Sequence, residues 1–214
     1  MIYYRPTEGD PLTTRLRKRP RACFLMTQLG EPIPPILLEI RTALTEVLQR
    51  ERFELIDANS LVTGRDFLLK IWEIIVSVPL GVAILHEEMK PTTVANIFYE
   101  LGLMQAYGKE TLVIKTAASV IPSDFVRTEY VQYGPDFQAQ LRKFFQSLEE
   151  RADYYALMAD QVERNPLLSI DYLRRAYLLT GDQALKDRAR ATFDAARLSE
   201  RAKNSVEMLL IDFD

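Results

Sequence analysis

Apolar residues along this chain fall into two kinds of pattern: short unbroken runs, and longer stretches with helical spacing. Ala22-Cys23-Phe24-Leu25-Met26 is an unbroken run that stops at Thr27-Gln28-Leu29-Gly30-Glu31-Pro32, as a buried parallel strand entering a turn does. From about Pro34 to Arg50 the residues Ile36, Leu37, Ile40, Leu44, Val47 and Leu48 recur on one helical face. Phe53 to Asp57 reads as a second strand, and Ala58-Asn59-Ser60 as a polar mouth. Gly64-Arg65-Asp66 opens a helix carrying Phe67, Leu68, Ile71, Trp72 and Ile75. Val82 to Leu85 is a third strand, followed by His86 and a loop to Pro91. Thr111 to Lys115 is a fourth, and a shorter fifth is expected near Tyr130 to Tyr133. Strands alternating with helices across short loops predict right-handed crossovers and a doubly wound parallel α/β sheet of about five strands.

Between the third and fourth strands lies a helix expected to open at Thr92 or Thr93 after Pro91 and to close at Gly108, with Lys109 beyond. Ile97, Leu101 and Met104 form its buried stripe, and Asn96, Glu100, Leu103 and Tyr107 the neighbouring one. Glu100 is expected in the second turn. A carboxylate in so apolar a helix is costly without a partner, so the residue either reaches water or an arginine, or holds a ligand. In open α/β sheets ligands bind beyond the carboxyl ends of the strands, and the loops after Met26, Asp57 and Leu85 gather there. Asn96 and Glu100, on the turns after such a loop, are expected to face that mouth.

From Asp136 onward the spacing is helical to the end of the chain. Phe137, Leu141, Phe144, Phe145 and Leu148 lead toward Tyr155 and Met158, Asn165-Pro166 breaks the helix, and a second runs from Leu167 to Leu179. Gly181-Asp182 starts a third, with Ala184, Leu185, Ala189 and Phe193, expected to continue to Leu210. The helix-Gly-Asp-helix turn is similar to one tetratricopeptide-like unit, with no second copy at that period. One unit cannot bury its own face, so these helices are expected to pack on the sheet domain, a second subunit or another protein. The domain reading is an extended arm at 1–20, an α/β domain at 21–135 and a helical region at 136–214. The arm's basic cluster, Arg15, Arg17, Lys18, Arg19 and Arg21, could approach a phosphate or an acidic partner, but reads first as a solvated flank.

Composition narrows the chemistry. At 214 residues, 48% hydrophobic and 27% charged, the chain can bury one good core and a smaller appendage. A formal net charge of −3 gives no basic footprint for nucleic acid. The longest apolar stretch, Ile74 to Leu85, is interrupted by Ser77, Pro79 and Gly81, so no membrane span is expected. A cytoplasmic location is the expectation, since the N-terminus lacks a secretion signal's apolar core and Cys23 is the single cysteine. With one histidine and one cysteine far apart, a His/Cys metal site or a Ser-His or Cys-His dyad is not expected. Cys23 and Trp72 read as core, and His86 as a hydrogen-bonding residue at a strand end. No G-x-G-x-x-G or G-x-x-x-x-G-K-[ST] occurs, so any phosphate must be held by loop amides and helix N-termini.

Several blocks carry a resemblance. Met26-Thr27-Gln28-Leu29-Gly30, Asp57-Ala58-Asn59, Gly64 with Ile71-Trp72-Glu73-Ile74-Ile75, Asn96-Ile97-Phe98-Tyr99-Glu100-Leu101-Gly102 with Tyr107-Gly108-Lys109, and Pro122-x-Asp124-Phe125-x-Arg127 occur in the order seen in a large bacterial family. The chain, over about residues 21 to 146, resembles the TIR-like predicted nucleotide-binding proteins related to nucleoside 2-deoxyribosyltransferases. The resemblance implies a flavodoxin-like or TIR-like fold, a nucleotide or NAD at the strand ends as substrate or ligand rather than as a resident cofactor, and Glu100 in the place of the glutamate that works on an N-glycosidic bond. Several TIR-like members serve in antiphage defence by consuming NAD or responding to a nucleotide signal. Within that reading Glu100 is the catalytic carboxylate and Asn96 orients ribose or glutamate. The loop of Met26, Thr27, Gln28 and Gly30 supplies walls and phosphate-binding amides. Asp57 and Asn59 hold sugar or base, Arg127 supplies a phosphate counter-charge, and Asp66 completes the substrate-binding set. One glutamate suffices for NAD, because nicotinamide leaves from a bond that is already cationic. A neutral nucleoside needs a second acid, for which Asp57, Asp66 and Asp124 are the candidates. The rival expectation is a catalytically silent nucleotide-sensing or scaffold module that assembles through its C-terminal helices.

Overall fold

The computed structural model describes residues 9, 16–30, 32–58, 67–125 and 129–213, without the side chains of Asp124 and Arg201. Five strands, β1 (Ala22–Met26), β2 (Glu54–Asp57), β3 (Leu80–Leu85), β4 (Glu110–Lys115) and β5 (Tyr130–Gln132), form one all-parallel sheet in the order β2-β1-β3-β4-β5. The order reverses between β1 and β3. That is the flavodoxin-like arrangement, with its switch point where those two strands part to opposite neighbours. Helix α1 (Pro35–Arg50) joins β1 to β2, α2 (Phe67–Ser77) leads into β3, α3 (Pro91–Ala106) joins β3 to β4, and α4 (Phe137–Gln161) follows β5.

Pleat alternation sorts the strand residues by face. Ala22, Phe24 and Met26 of β1 and Ala83 and Leu85 of β3 share a buried cluster with Ile71 and Ile75 of α2 and Ile97, Leu101 and Met104 of α3. The alternate positions, Cys23, Leu25, Leu80, Val82 and Ile84, are also fully buried and turn to the other face. Burial on both faces explains the unbroken apolar runs. Cys23 and Trp72 are core residues. Burial pushes the Cys23 thiol far above its ordinary range, and Trp72 Nε1 donates to the Tyr107 hydroxyl at 3.0 Å.

Strand β3 begins two residues before the unbroken run, at Leu80, and takes in Gly81. A Cβ at Gly81 would stand 2.8 Å from Met26 Cε and 2.9 Å from Met104 Cε, so these two methionines occupy the space a side chain would need.

Helix α3 starts at Pro91, with Lys90 as its cap residue and no side-chain cap bond. Neither Thr92 nor Thr93 caps it, because proline already supplies a first position that needs no amide partner. Glu100 is consequently the tenth helical residue, in the third turn and about 13 Å along the axis from the start rather than in the second turn. The other end closes at the expected place. Gly108 has φ 65°, its amide donates to Gln105 O at 2.9 Å, and the Lys109 amide reaches Met104 O at 3.0 Å, which together make a Schellman cap.

Contacts gather the chain into two compact units, one spanning Ala22–Phe145, the other combining Gln146–Asp214 with Met1–Arg21, as far as these are described. The division falls inside α4, not at 135/136, because Phe137, Leu141, Phe144 and Phe145 are buried with the α/β unit. The second unit holds the rest of α4, α5 (Pro166–Thr180), α6 (Gln183–Ala195), α7 (Glu200–Leu210) and a 3-10 turn at Ile211–Phe213. The third C-terminal helix does not run on to Leu210. It stops at Ala195, and the Ser199 hydroxyl accepts the Ala202 amide to start α7 afresh.

Residues 16–21 are a solvated flank only in part: Arg17 and Arg19 are exposed, but Lys18 and Arg21 are held in the second unit. Lys18 is only 4% exposed and lies 3.8 Å from the Asp212 carboxylate, and the Arg21 amide donates to Leu178 O at 2.8 Å. Asp212 also accepts from Arg174 Nη1 at 2.5 Å, and Arg174 Nη2 donates to Asp171 at 2.6 Å, so a buried ionic cluster ties this segment to α5 and the chain end. Helix α5 ends on Gly181, whose φ of 70° is left-handed and whose amide donates to Tyr177 O at 2.7 Å. Gly181→Ala is expected to cost about 1 kcal/mol in chemical denaturation, because the new Cβ meets Arg21 only at ordinary contact distance and the penalty is the backbone conformation alone.

Candidate functional site

The carboxyl ends of β1 and β3 deliver Thr27 and His86 to the switch point. Thr27 is 5% exposed and His86 3%. The Thr27 hydroxyl and both imidazole nitrogens are buried without a hydrogen-bond partner among the described residues. The expectation that His86 is a satisfied strand-end residue is thus corrected. Burial lowers its pKa, against the opposing charges of Glu88 and Glu87, so the ring is held neutral. The reason it lacks a partner lies in its neighbours. Thr116, next to it in register across β3 and β4, donates to the Glu87 carboxylate and shares a hydrogen bond with Ser119 at 2.8 Å. Tyr133, one strand further, donates to Glu39 of α1 at 3.2 Å.

Register fixes the direction of this polar row. Met26 pairs with Ala83, which sets Thr27 beside Ile84, and His86 lies two residues on from Ile84. Both alternate onto the face opposite to the α2/α3 cluster, the same face on which Tyr133 meets α1.

Glu100 belongs to the other face. Helical spacing places it on one stripe with Tyr107, whose hydroxyl receives the Trp72 indole, so this stripe is turned toward α2. The helices on this side of the sheet share an apolar cluster that includes Ile71 and Ile75 of α2 and Ile97, Leu101 and Met104 of α3, with the partly buried Phe67, Leu103 and Tyr107 packed against it. The carboxyl is half-buried and has no hydrogen bond or ion pair among the described residues. Burial pushes its pKa to about 7. A group at that value exchanges protons at neutral pH and can also stabilise a developing positive charge once ionised.

The other expected site residues are distributed unevenly. Asn96 is exposed and stands one turn before Glu100, in the second turn of α3. Asp57, at the end of β2, is ion-paired with Arg41 of α1, which engages it with the protein itself. Met26 is a core side chain at 1% exposure, and its Cε fills the space beside Gly81, so it contributes packing rather than a ligand wall. Gln28 is partly buried and Gly30 exposed, with φ 88°. Asn59, Asp66 and Arg127 lie outside the described residues. The structure therefore brings Thr27 together with His86, a residue outside the expected site set, and sets Glu100 apart from both. A signal for His86 was available: it is the chain's only histidine, and it follows directly on a buried parallel strand.

Among the described residues there is no group of three or more His, Cys, Asp or Glu side chains that could hold a metal ion, and no helix long and apolar enough to cross a membrane. No family model and no curated protein matches the chain.

Proposed function

We propose that the α/β unit binds a nucleotide of the NAD class and cleaves its N-glycosidic bond through Glu100. One observation carries this reading: a half-buried glutamate without a counter-charge among the described residues, its pKa near 7, in an apolar seam of a flavodoxin-like domain. Such a carboxylate lacks a positive charge, and a pyridinium riboside would supply one at the bond to be broken. In hydrolysis the C–N pair leaves with the neutral base, positive charge develops on the ribose, and water adds to the anomeric carbon while losing a proton. Ionised Glu100 would stabilise that charge, and no proton donor to the leaving base is required. The engagement of Asp57 with Arg41 agrees with a substrate that needs no second acid.

The test is release of free nicotinamide from NAD by purified protein, with adenosine and deoxyadenosine as neutral comparisons. Glu100→Ala is expected to lower the rate at least about a hundredfold, the scale on which removal of one stabilising group acts. Equal release by wild type and Glu100→Ala would end the proposal. A second reading, a sensor that binds nucleotide without turnover and assembles through its C-terminal helices, draws on the exposed Tyr154 and Leu157 of α4 and Leu167 and Leu168 of α5. It predicts a ligand-dependent rise in melting temperature with no free base.

A further inference from the structure

We infer that α3 docks against α3 of a second copy of this chain, in an antiparallel two-fold pair that seats each Tyr99 over Gly102 of the other copy. Three observations meet on the outer side of this helix. None of the exposed residues of α3 carries a charge, although α1 exposes Glu39, Glu46 and Arg50, and α6 exposes Asp187, Arg190 and Asp194. Tyr99 is 56% exposed on that side, in line with the exposed Ala95 and Ala106. Gly102 follows one turn later, and a Cβ there would meet nothing nearer than the Phe125 ring at 4.0 Å. Packing within the chain therefore does not require glycine at a position where it weakens the helix relative to alanine. Close approach by another backbone is what such a position serves.

Symmetry selects the occupant. A surface helix ordinarily presents charge to water, and one that is apolar all round is covered. In a two-fold contact the same patch meets itself, so charges near the axis oppose their own kind. An uncharged face avoids this. Such a contact also needs a protrusion and a recess on one patch. Tyr99 and Gly102 supply them three residues apart, near the middle of α3 and on the side opposite Ile97, Leu101 and Met104. Turning one helix antiparallel to the other, about an axis between these two positions, brings each ring over the other glycine. Lys90 and Lys109 then stay beyond the helix ends. The inference goes beyond the glycosidic reading and does not rest on it.

Sedimentation equilibrium of the full-length protein is expected to show dimer at about 100 µM, in the range of weak contacts of limited area. Tyr99→Ala should weaken association at least about tenfold, the loss that follows truncation of a buried aromatic anchor. Gly102→Ala should act in opposite directions on fold and assembly. It is expected to raise the urea midpoint of the dilute protein and to weaken association about tenfold, because the added methyl stands where the ring would sit. Cys23 is buried, so single introduced cysteines can be cross-linked without its interference. Mild oxidation of an equimolar mixture of Tyr99→Cys and Gly102→Cys should give the mixed pair in excess over either like pair. A monomer at about 100 µM overturns the inference, as does association that survives both alanine variants, or cross-linking that favours like pairs. The readout is mass and not turnover, so failure of this contact and failure of the glycosidic reading are seen separately.

Discussion

Asp212→Asn is expected to lower the stability of the protein by about 3 kcal/mol, the scale of removing one charged partner from a buried ionic cluster. Asp212 serves two of them. Arg174, 6% exposed, donates to it at 2.5 Å, and the Lys18 ammonium, almost wholly buried, lies 3.8 Å away. Asparagine keeps the shape and can still accept a hydrogen bond, so the loss isolates the charge. Urea denaturation followed by far-ultraviolet circular dichroism measures it, and the fluorescence of Trp72, the only tryptophan, reports separately on the α/β unit. Adding Lys18→Met should recover part of the loss, because it removes one of the two cations that faced the lost carboxylate. A change within about 0.5 kcal/mol in Asp212→Asn, the range of ordinary surface substitutions, would show that the cluster is solvated rather than buried. The same cluster predicts acid sensitivity. Burial opposes ionisation of Asp171, but Arg174 and Arg175 outweigh it and hold its pKa below 3.8. A carboxyl depressed in the folded state contributes stability above its unfolded pKa, and that contribution is lost as pH falls through the folded value. This part of the loss should therefore begin below about pH 4.

The ionic cluster also shows where reading from sequence stops. Runs such as Ala22–Met26 reveal buried parallel strands because burial on both faces removes polar residues from every position, and that requirement is local. The alternation of strands with helices and the close of α3 at Gly108 follow from equally local signals, whereas the order of the strands in the sheet does not. Lys18 looks like one more residue of a basic flank, and nothing near it in sequence indicates that its counter-charge lies at the far end of the chain. His86 is a similar case. Its burial follows from the strand before it, but its lack of partners depends on Thr116 and Tyr133, set beside it by the register of β4 and β5. Pro79 and Gly81, which interrupt the apolar run, do not interrupt the strand. The proline lies just outside it, and two methionines from β1 and α3 fill the room left by the glycine.

The candidate site was legible in part for the same reason. Glu100 stands out locally as a carboxylate in an apolar helix, and the structure keeps it without a partner among the described residues. The residues gathered around it in the sequence reading were chosen for their place at strand ends, and strand ends have two faces. Thr27 follows β1 by one residue, yet the pleat sends it away from α3. Asp57 lies within reach of a helix on its own side, and Arg41 takes it. Proximity to the switch point does not by itself bring polar residues together, because the helices on either side of the sheet divide them.

Glu100→Gln is expected to stabilise the protein at pH 8 by up to about 3 kcal/mol and to leave it unchanged near pH 4. The sign follows from the direction of the shift. The folded pKa of about 7 lies above the ordinary 4.5, so folding favours the protonated carboxyl. That preference adds nothing against below pH 4.5, where folded and unfolded chains are both protonated. As pH rises from 4.5 to 7 the unfolded chain ionises freely while the folded one resists, and stability falls by about 1.4 kcal/mol for each unit of the gap. Glutamine has the same shape and never ionises, so it escapes the loss. Urea midpoints of both proteins at pH 4 and pH 8 measure the effect, and partial exposure of the carboxyl sets the outcome below the full figure. If Glu100→Gln proves no more stable than wild type at pH 8, a positive group already neutralises the carboxylate, and the case for a cationic ligand at this seam falls with it. If the gain appears, NAD should reverse the ranking at the same pH, because only the ionisable residue can exchange its desolvation penalty for the pyridinium charge. A residue that weakens the free protein and strengthens the liganded one is retained for the ligand rather than for the fold.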